Sequence, residues 1–193
     1  MADFEISVKT DFTEVKKALK GAQDNALKAA AAASLNRSVA AGKTEAVKQL
    51  KSYRALPSTE IRSLCNVHKA NYNSLIASLV ISHSSVRLGH YKVHNTVRGG
   101  GPISVQVDPH NGYKPLYNAF VGKGGRLPAG VIFERQRPWH PVKLKSLPGP
   151  SVSSAANKSV VADAIKNKID MTWDQTFKAQ LKWRLEKLGF SVS

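Results

Sequence analysis

Residues 120–137 read FVGKGGRLPAGVIFERQR, and Gly122, Gly124 and Gly125 enclose Lys123. Glycines beside a lysine are one way to hold phosphate: bare backbone N–H groups point at the anion and the ammonium neutralises it. A phosphate loop also needs Ser or Thr after the lysine, a strand before it and a helix after it. Here Gly124 follows Lys123, and the flanks LYNAF and AGVIFER both read as extended chain. The pattern predicts a hairpin loop in which glycine supplies positive φ. Gly42-Lys43-Thr44 fails the same test. The motif's first glycine would fall on Arg37, and KAAAAASLNRSVAA before it reads as helix, not strand.

The other reactive side chains form no catalytic pattern. His90 and His94 are four apart, but HYKVH reads as strand, and there residues four apart lie ~13 Å from each other. With no cysteine or acid nearby, a metal pair is not expected. Cys65 is the only cysteine, so neither an internal disulfide nor a cysteine zinc site is expected. Between Glu60 and Glu134 the only acid is Asp108. Paired carboxylates for acid–base work would have to come from the helices, and no Ser-His-Asp arrangement is legible. The reading is a protein without catalysis, metal or cofactor. Trp139, in RPWHP, has the setting of a base-stacking side chain. Trp173 belongs to an apolar helical row, which assigns it to packing.

The 193 residues suffice for one domain, and a hydrophobic share of 42% suffices for a core. No apolar run approaches the ~18 residues of a membrane span. MADFEISVKT lacks the apolar centre of a signal peptide. The expected place of synthesis is the cytoplasm. Net charge is +16, spread along the chain: residues 1–60 carry ten bases and seven acids, 61–134 eight and two, 135–193 eleven and four. Such a field favours polyanions or acidic protein surfaces.

Periodicity supplies the elements. Phe4, Ile6 and Val8 alternate with polar residues and predict a strand within 1–10. Asp11 and Glu14 have the spacing of a capping box. Val15, Leu19, Ala22, Ala26, Ala29, Ala33, Ala40 and Val47 then recur at helical steps. They predict one long helix over 12–53 with an alanine-rich face and weak points at Gly21 and Gly42. Such a face buries little area and calls for a broad sheet or a neighbouring subunit. A short helix is predicted over 58–68, with Ile61, Leu64 and Cys65 inward. Short β-rich segments punctuated by glycine and proline predict an antiparallel sheet over 75–135. Loops 96–102 and 109–115 are expected to take order from partners. A proline-rich linker follows at 136–150. Val161, Ile165, Ile169, Trp173, Phe177, Leu181, Leu185 and Leu188 predict a helix over 153–188. Steps of four drift ~40° each, so this row spirals and must bend, wrap or be covered on two sides. The fold class is α+β: two long helices packed on a small antiparallel sheet, in a single domain over 1–193.

Several stretches together resemble the minor tail protein Z family of tailed bacteriophages, the tail completion proteins typified in phage lambda. They are AAASLNRSVAAGKTEAVKQL, STEIRSL, GGPISVQV, KPLYNAFVGKGGRLPAGVIFERQ and HPVKLKSLPGPSV. The likeness runs over roughly residues 28–190. It implies a structural virion protein at the head-proximal end of the tail, assembled in the host cytoplasm. It implies a homo-oligomeric ring, commonly six-fold, around the DNA channel, with other tail and neck proteins as partners. Whether channel DNA is touched is open. Arg98, Lys123, Arg126, Arg135 and Arg137 are the basic residues placed to face DNA or a partner. Ala26, Ala29, Ala33, Trp173, Phe177 and Leu181 are the helix residues assigned to subunit packing. The alternative is a standalone basic nucleic-acid-binding protein using the same cations.

Overall fold

A computed structural model describes residues 4–9, 22–94, 102–135 and 144–187. The protein is α+β with antiparallel strand pairing. Helix α1 spans Ala22–Tyr53 and helix α4 spans Ser159–Lys187. At 1.5 Å per residue they are about 48 and 44 Å long. They run antiparallel. Tyr53 of α1 meets Lys158, just before α4, Gly42 meets Ile169, and Leu27 meets Phe177 and Leu181. The first ten residues of the expected N-terminal helix, with Val15, Leu19 and Gly21, lie outside the described residues.

The helix ends where its sequence turns against it. Arg54 N–H still reaches the Leu50 carbonyl at 2.9 Å. Pro57 then holds Leu56 out of the helical region. The Ala55 N–H leaves to donate to Val107 C=O at 2.9 Å. Midway along α1, Asn36 makes a two-point clamp on the chain after the short helix. Its Nδ2 donates to Ala70 C=O at 3.0 Å, and its Oδ1 accepts from Ala70 N–H at 2.7 Å.

The expected alanine-rich face of α1 is buried in large part, at Ala26, Ala29, Ala30, Ala31 and Ala32, and larger side chains are buried with it. Leu27, Leu35, Val39, Ala46 and Leu50 are fully buried, whereas Ala40 is exposed. The leucines, not the alanines, carry most of the apolar area, at ~1.5–3 kcal/mol for each large side chain buried.

Strands β1 (Phe4–Lys9), β2 (Cys65–His68) and β3 (Ile76–Ile81) form one sheet with β3 central, and α1 packs against β3. Here the expected short helix over 58–68 is corrected. Helix α2 covers only Ser58–Ser63, and Cys65 to His68 pair with Ile81 to Ser78. A six-residue helix does not hold itself. The open edge of β3 offers backbone partners instead, and the Leu64 carbonyl accepts from Ser82 N–H at 2.9 Å.

The expected single sheet over 75–135 is divided among several small ones. Strands β5 (Lys92–His94), β6 (Ile103–Gln106) and β7 (Lys114–Leu116) form one. Strands β8 (Ala119–Val121), β9 (Ile132–Arg135) and β10 (Leu144–Ser146) form another, while β4 (Ser85–Arg87) pairs with β11 (Pro148–Ser151). Leu144–Ser146 and Pro148–Ser151, read as linker to 150, are therefore strands. Pro148 and Pro150 are exposed on a two-stranded pair, where a missing N–H costs little. Gly149 between them is buried. A Cβ there would stand 2.6 Å from the Val86 carbonyl oxygen and 2.8 Å from the Tyr91 ring. Only glycine allows β11 this close.

The C-terminal helical region is also interrupted. Helix α3 covers Ser153–Ala156, and the chain turns at Asn157 and Lys158 before α4 begins. One hydrophobic cluster joins α1, the first sheet, β6, β9, α3 and the first half of α4.

Candidate partner-facing surfaces

The first surface is the β8–β9 hairpin. Phe120 and Phe133 lie opposite each other across the two strands, 6.0 Å between ring centroids. Beyond Val121 the pairing continues through Gly122 N–H to Val131 C=O at 2.8 Å and Gly130 N–H to Gly122 C=O at 3.0 Å. The chain then turns tightly between Gly124 and Leu127. Gly124 and Gly125 take φ of 94° and 78°, the left-handed region that costs other residues strain. GKGG is thus a turn, as the sequence predicts, and it presents Lys123 and Arg126 to solvent. The loop is seated on the 3₁₀ turn Leu88–His90. A Cβ on Gly89 would stand 1.7 Å from the Gly130 carbonyl oxygen, so the two backbones touch.

Arg135 lies at the other end of the hairpin. Its guanidinium sits 5.4 Å from the Phe120 ring centroid, and its N–H donates to Asn118 C=O at 3.1 Å. It is exposed, so its charge remains available while the ring orients it. Arg98, Arg137 and Trp139 lie outside the described residues.

The second surface runs along α4. Val161, Ile165 and Ile169 are fully buried, whereas Trp173, Phe177 and Leu181 are only half-buried. These three pack on Leu27 and Ala31 of α1. The Trp173 and Phe177 rings stack with centroids 4.9 Å apart and planes 13° apart. Past them Trp183 is 53% exposed, with the Arg184 guanidinium and Lys187 ammonium 5.5 and 5.2 Å from its ring. Lys178 and Lys182 are exposed on the same half of the helix. The spiral inferred from steps of four is visible here: the row leaves the core as it proceeds. This aromatic–cation pair was not read from the sequence; the i, i+4 spacing of Trp183 and Lys187 is the signal that could have found it.

The alanines assigned to subunit packing are placed otherwise. Ala26 and Ala29 are buried by the chain itself, and Ala33 is half-buried. Small side chains near a helix crossing are covered first, because close approach is what they permit. The large members of that group, Trp173, Phe177 and Leu181, stay half-buried.

The titratable residues are dispersed. His90 Nδ1 meets Glu60 Oε1 at 3.1 Å, His94 packs edge-on to Tyr113, and His83 Nδ1 meets the buried Ser153 Oγ at 2.7 Å. No group of three potential metal ligands occurs among the described residues. Cys65 is fully buried, and burial pushes its thiol up to about 11 against a smaller downward pull from Lys43. It is therefore a packing residue, not a nucleophile. Among the described residues no helix is long and apolar enough to cross a membrane. Loop 109–115 supplies its own order: Asp108 Oδ1 accepts from His110 N–H, and Gln106 Nε2 donates to the Pro109 and Asn111 carbonyls. No protein family, curated protein or solved structure matches this chain.

Proposed function

We propose that this protein is a structural virion component of a tailed phage. In this reading it completes the tail at its head-proximal end and joins a ring around the DNA channel. The observation that supports it is the half-buried ridge Trp173–Phe177–Leu181, bordered by the exposed cations Lys178 and Lys182. A neighbouring subunit laid against it would bury the stacked rings, while the cations meet acidic groups at the rim. The β8–β9 hairpin is then a rim loop that offers Lys123 and Arg126 to a neighbouring ring or to DNA. No step of this role needs a catalytic residue.

The experiment is light scattering on a sizing column, with nuclease-treated protein, at low and high salt. A discrete ring-sized oligomer at both salts is the expected outcome. A monomer that carries nucleic acid at low salt and sheds it at high salt overturns the reading in favour of a standalone nucleic-acid binder.

A further inference from the structure

A cavity of about 380 Å³ opens beside the end of α1, under β6 and β7. That is the size of a small-molecule site. Val105, Val107 and Leu116 supply apolar walls, and Arg54 and Lys114 bring positive charge. The β6–β7 register pairs Val105 with Lys114, so both project to the cavity side of the sheet.

Arg54 is held in place by neutral acceptors alone. Nη2 donates to Ser154 Oγ at 2.7 Å and to Ser151 C=O at 3.5 Å, and Nη1 donates to Tyr53 C=O at 3.3 Å. Its Nε is buried and has no hydrogen-bond partner among the described residues. Asp108, the carboxylate on the cavity wall, is committed to its own turn. Oδ1 accepts from His110 N–H at 2.9 Å, and Oδ2 accepts from Asn111 Nδ2 at 3.4 Å. Among the described residues neither Arg54 nor Lys114 is in an ion pair. A half-buried guanidinium without a counter-charge is unfavourable unless something anionic reaches it.

We propose that this cavity binds a small monocarboxylate with a compact apolar body. The carboxylate is taken by Arg54 and Lys114, and the body lies on Val105, Val107 and Leu116. A planar guanidinium matches carboxylate geometry, and the apolar walls disfavour a bare inorganic anion. The inference is independent of the assembly role.

Calorimetry on the full chain with sodium benzoate tests it, with benzyl alcohol and inorganic phosphate as comparators. Benzoate is expected to bind one per chain with Kd on the order of 1 mM. Benzyl alcohol lacks the charge and phosphate lacks the apolar body, so each is expected to bind about tenfold weaker or less. Lys114→Gln should weaken benzoate binding about threefold and Arg54→Gln about tenfold, since a charge-assisted contact is lost in each. Absence of benzoate heat at saturating concentration overturns the proposal. So does benzoate binding that is unchanged in both Lys114→Gln and Arg54→Gln, or phosphate binding as tight as benzoate.

Discussion

Around Gly42 the paired helices α1 and α4 form a closed core, whereas around Leu27 the same two helices leave aromatic rings half in solvent. At the closed end a Cβ on Gly42 would stand 2.5 Å from Ile169 Cγ1 and 2.7 Å from its Cδ1. The helix interior gives up about 1 kcal/mol of propensity there by using glycine. In return α4 approaches closely enough to bury Ile165 and Ile169 fully. At the open end the larger Trp173 and Phe177 pack on Leu27 and Ala31 and stay half-buried. One helix pair thus divides its length between a closed core and a half-buried aromatic ridge.

The largest expected effect lies at the closed end. Ile169→Ala should cost about 2–5 kcal/mol in urea unfolding, because a fully buried side chain leaves a cavity. An effect below 1 kcal/mol would mean that the closed end is not closed. Next, Gly42→Val should cost about 1–3 kcal/mol by overpacking. Combined with Ile169→Ala it should cost less than the sum of the two, since the second change removes the atoms the first collides with. Strict additivity in that cycle would separate Gly42 from Ile169.

At the open end the expectation reverses. Phe177→Ser should cost the isolated chain only about 1 kcal/mol, as a half-buried ring loses little. On the proposed reading it should nonetheless dissociate the oligomer expected in light scattering. A stability loss as large as that of Ile169→Ala would place Phe177 in the core and remove the contrast between the two ends.

A pH dependence is also expected beside the closed core. Burial pushes the Tyr91 phenol up to about 12, opposed by the nearby Arg54 charge, and the phenol donates to Pro150 C=O at 2.7 Å. The folded state thus holds this proton more tightly than the unfolded chain, where tyrosine ionises near 10. Its contribution to stability is whole below about pH 10 and disappears between pH 10 and 12. Cys65 acts in the same direction between its ordinary value of 9.0 and about 11. Unfolding midpoints should fall over that range, and Tyr91→Phe should remove the last tyrosinate absorbance step. A step that ends near pH 10 would show that Tyr91 is not buried as described.

The β-segments show how far local pattern reaches. The alternation of Phe4 and Ile6, the GKGG turn and the apolar row of α4 were all legible, because each rests on backbone periodicity or on glycine's freedom at positive φ. Residues 65–68 were not. CNVH carries no more strand signal than helix signal, and the open edge of β3 decides it. Residues 148–151 were not legible either, since PGPS has the composition of a loop. Its pairing with Ser85–Arg87, which Gly149 permits by passing close to Val86 and Tyr91, makes it a strand. The cavity beside Arg54 had no sequence signal, as Arg54 and Ser154 are a hundred residues apart.

The α+β class, the two long helices, the hairpin at Lys123 and the diffuse positive charge were readable from the order of residues. These depend on composition and on spacings of two to four residues, which neighbours in the chain enforce on one another. Tertiary structure alone decided how the strands divide into separate sheets and which alanines are covered. It also decided where the α4 row leaves the core and which cation faces an apolar cavity. Each of these depends on surfaces brought together from distant parts of the chain, and their complementarity appears only when the chain is folded.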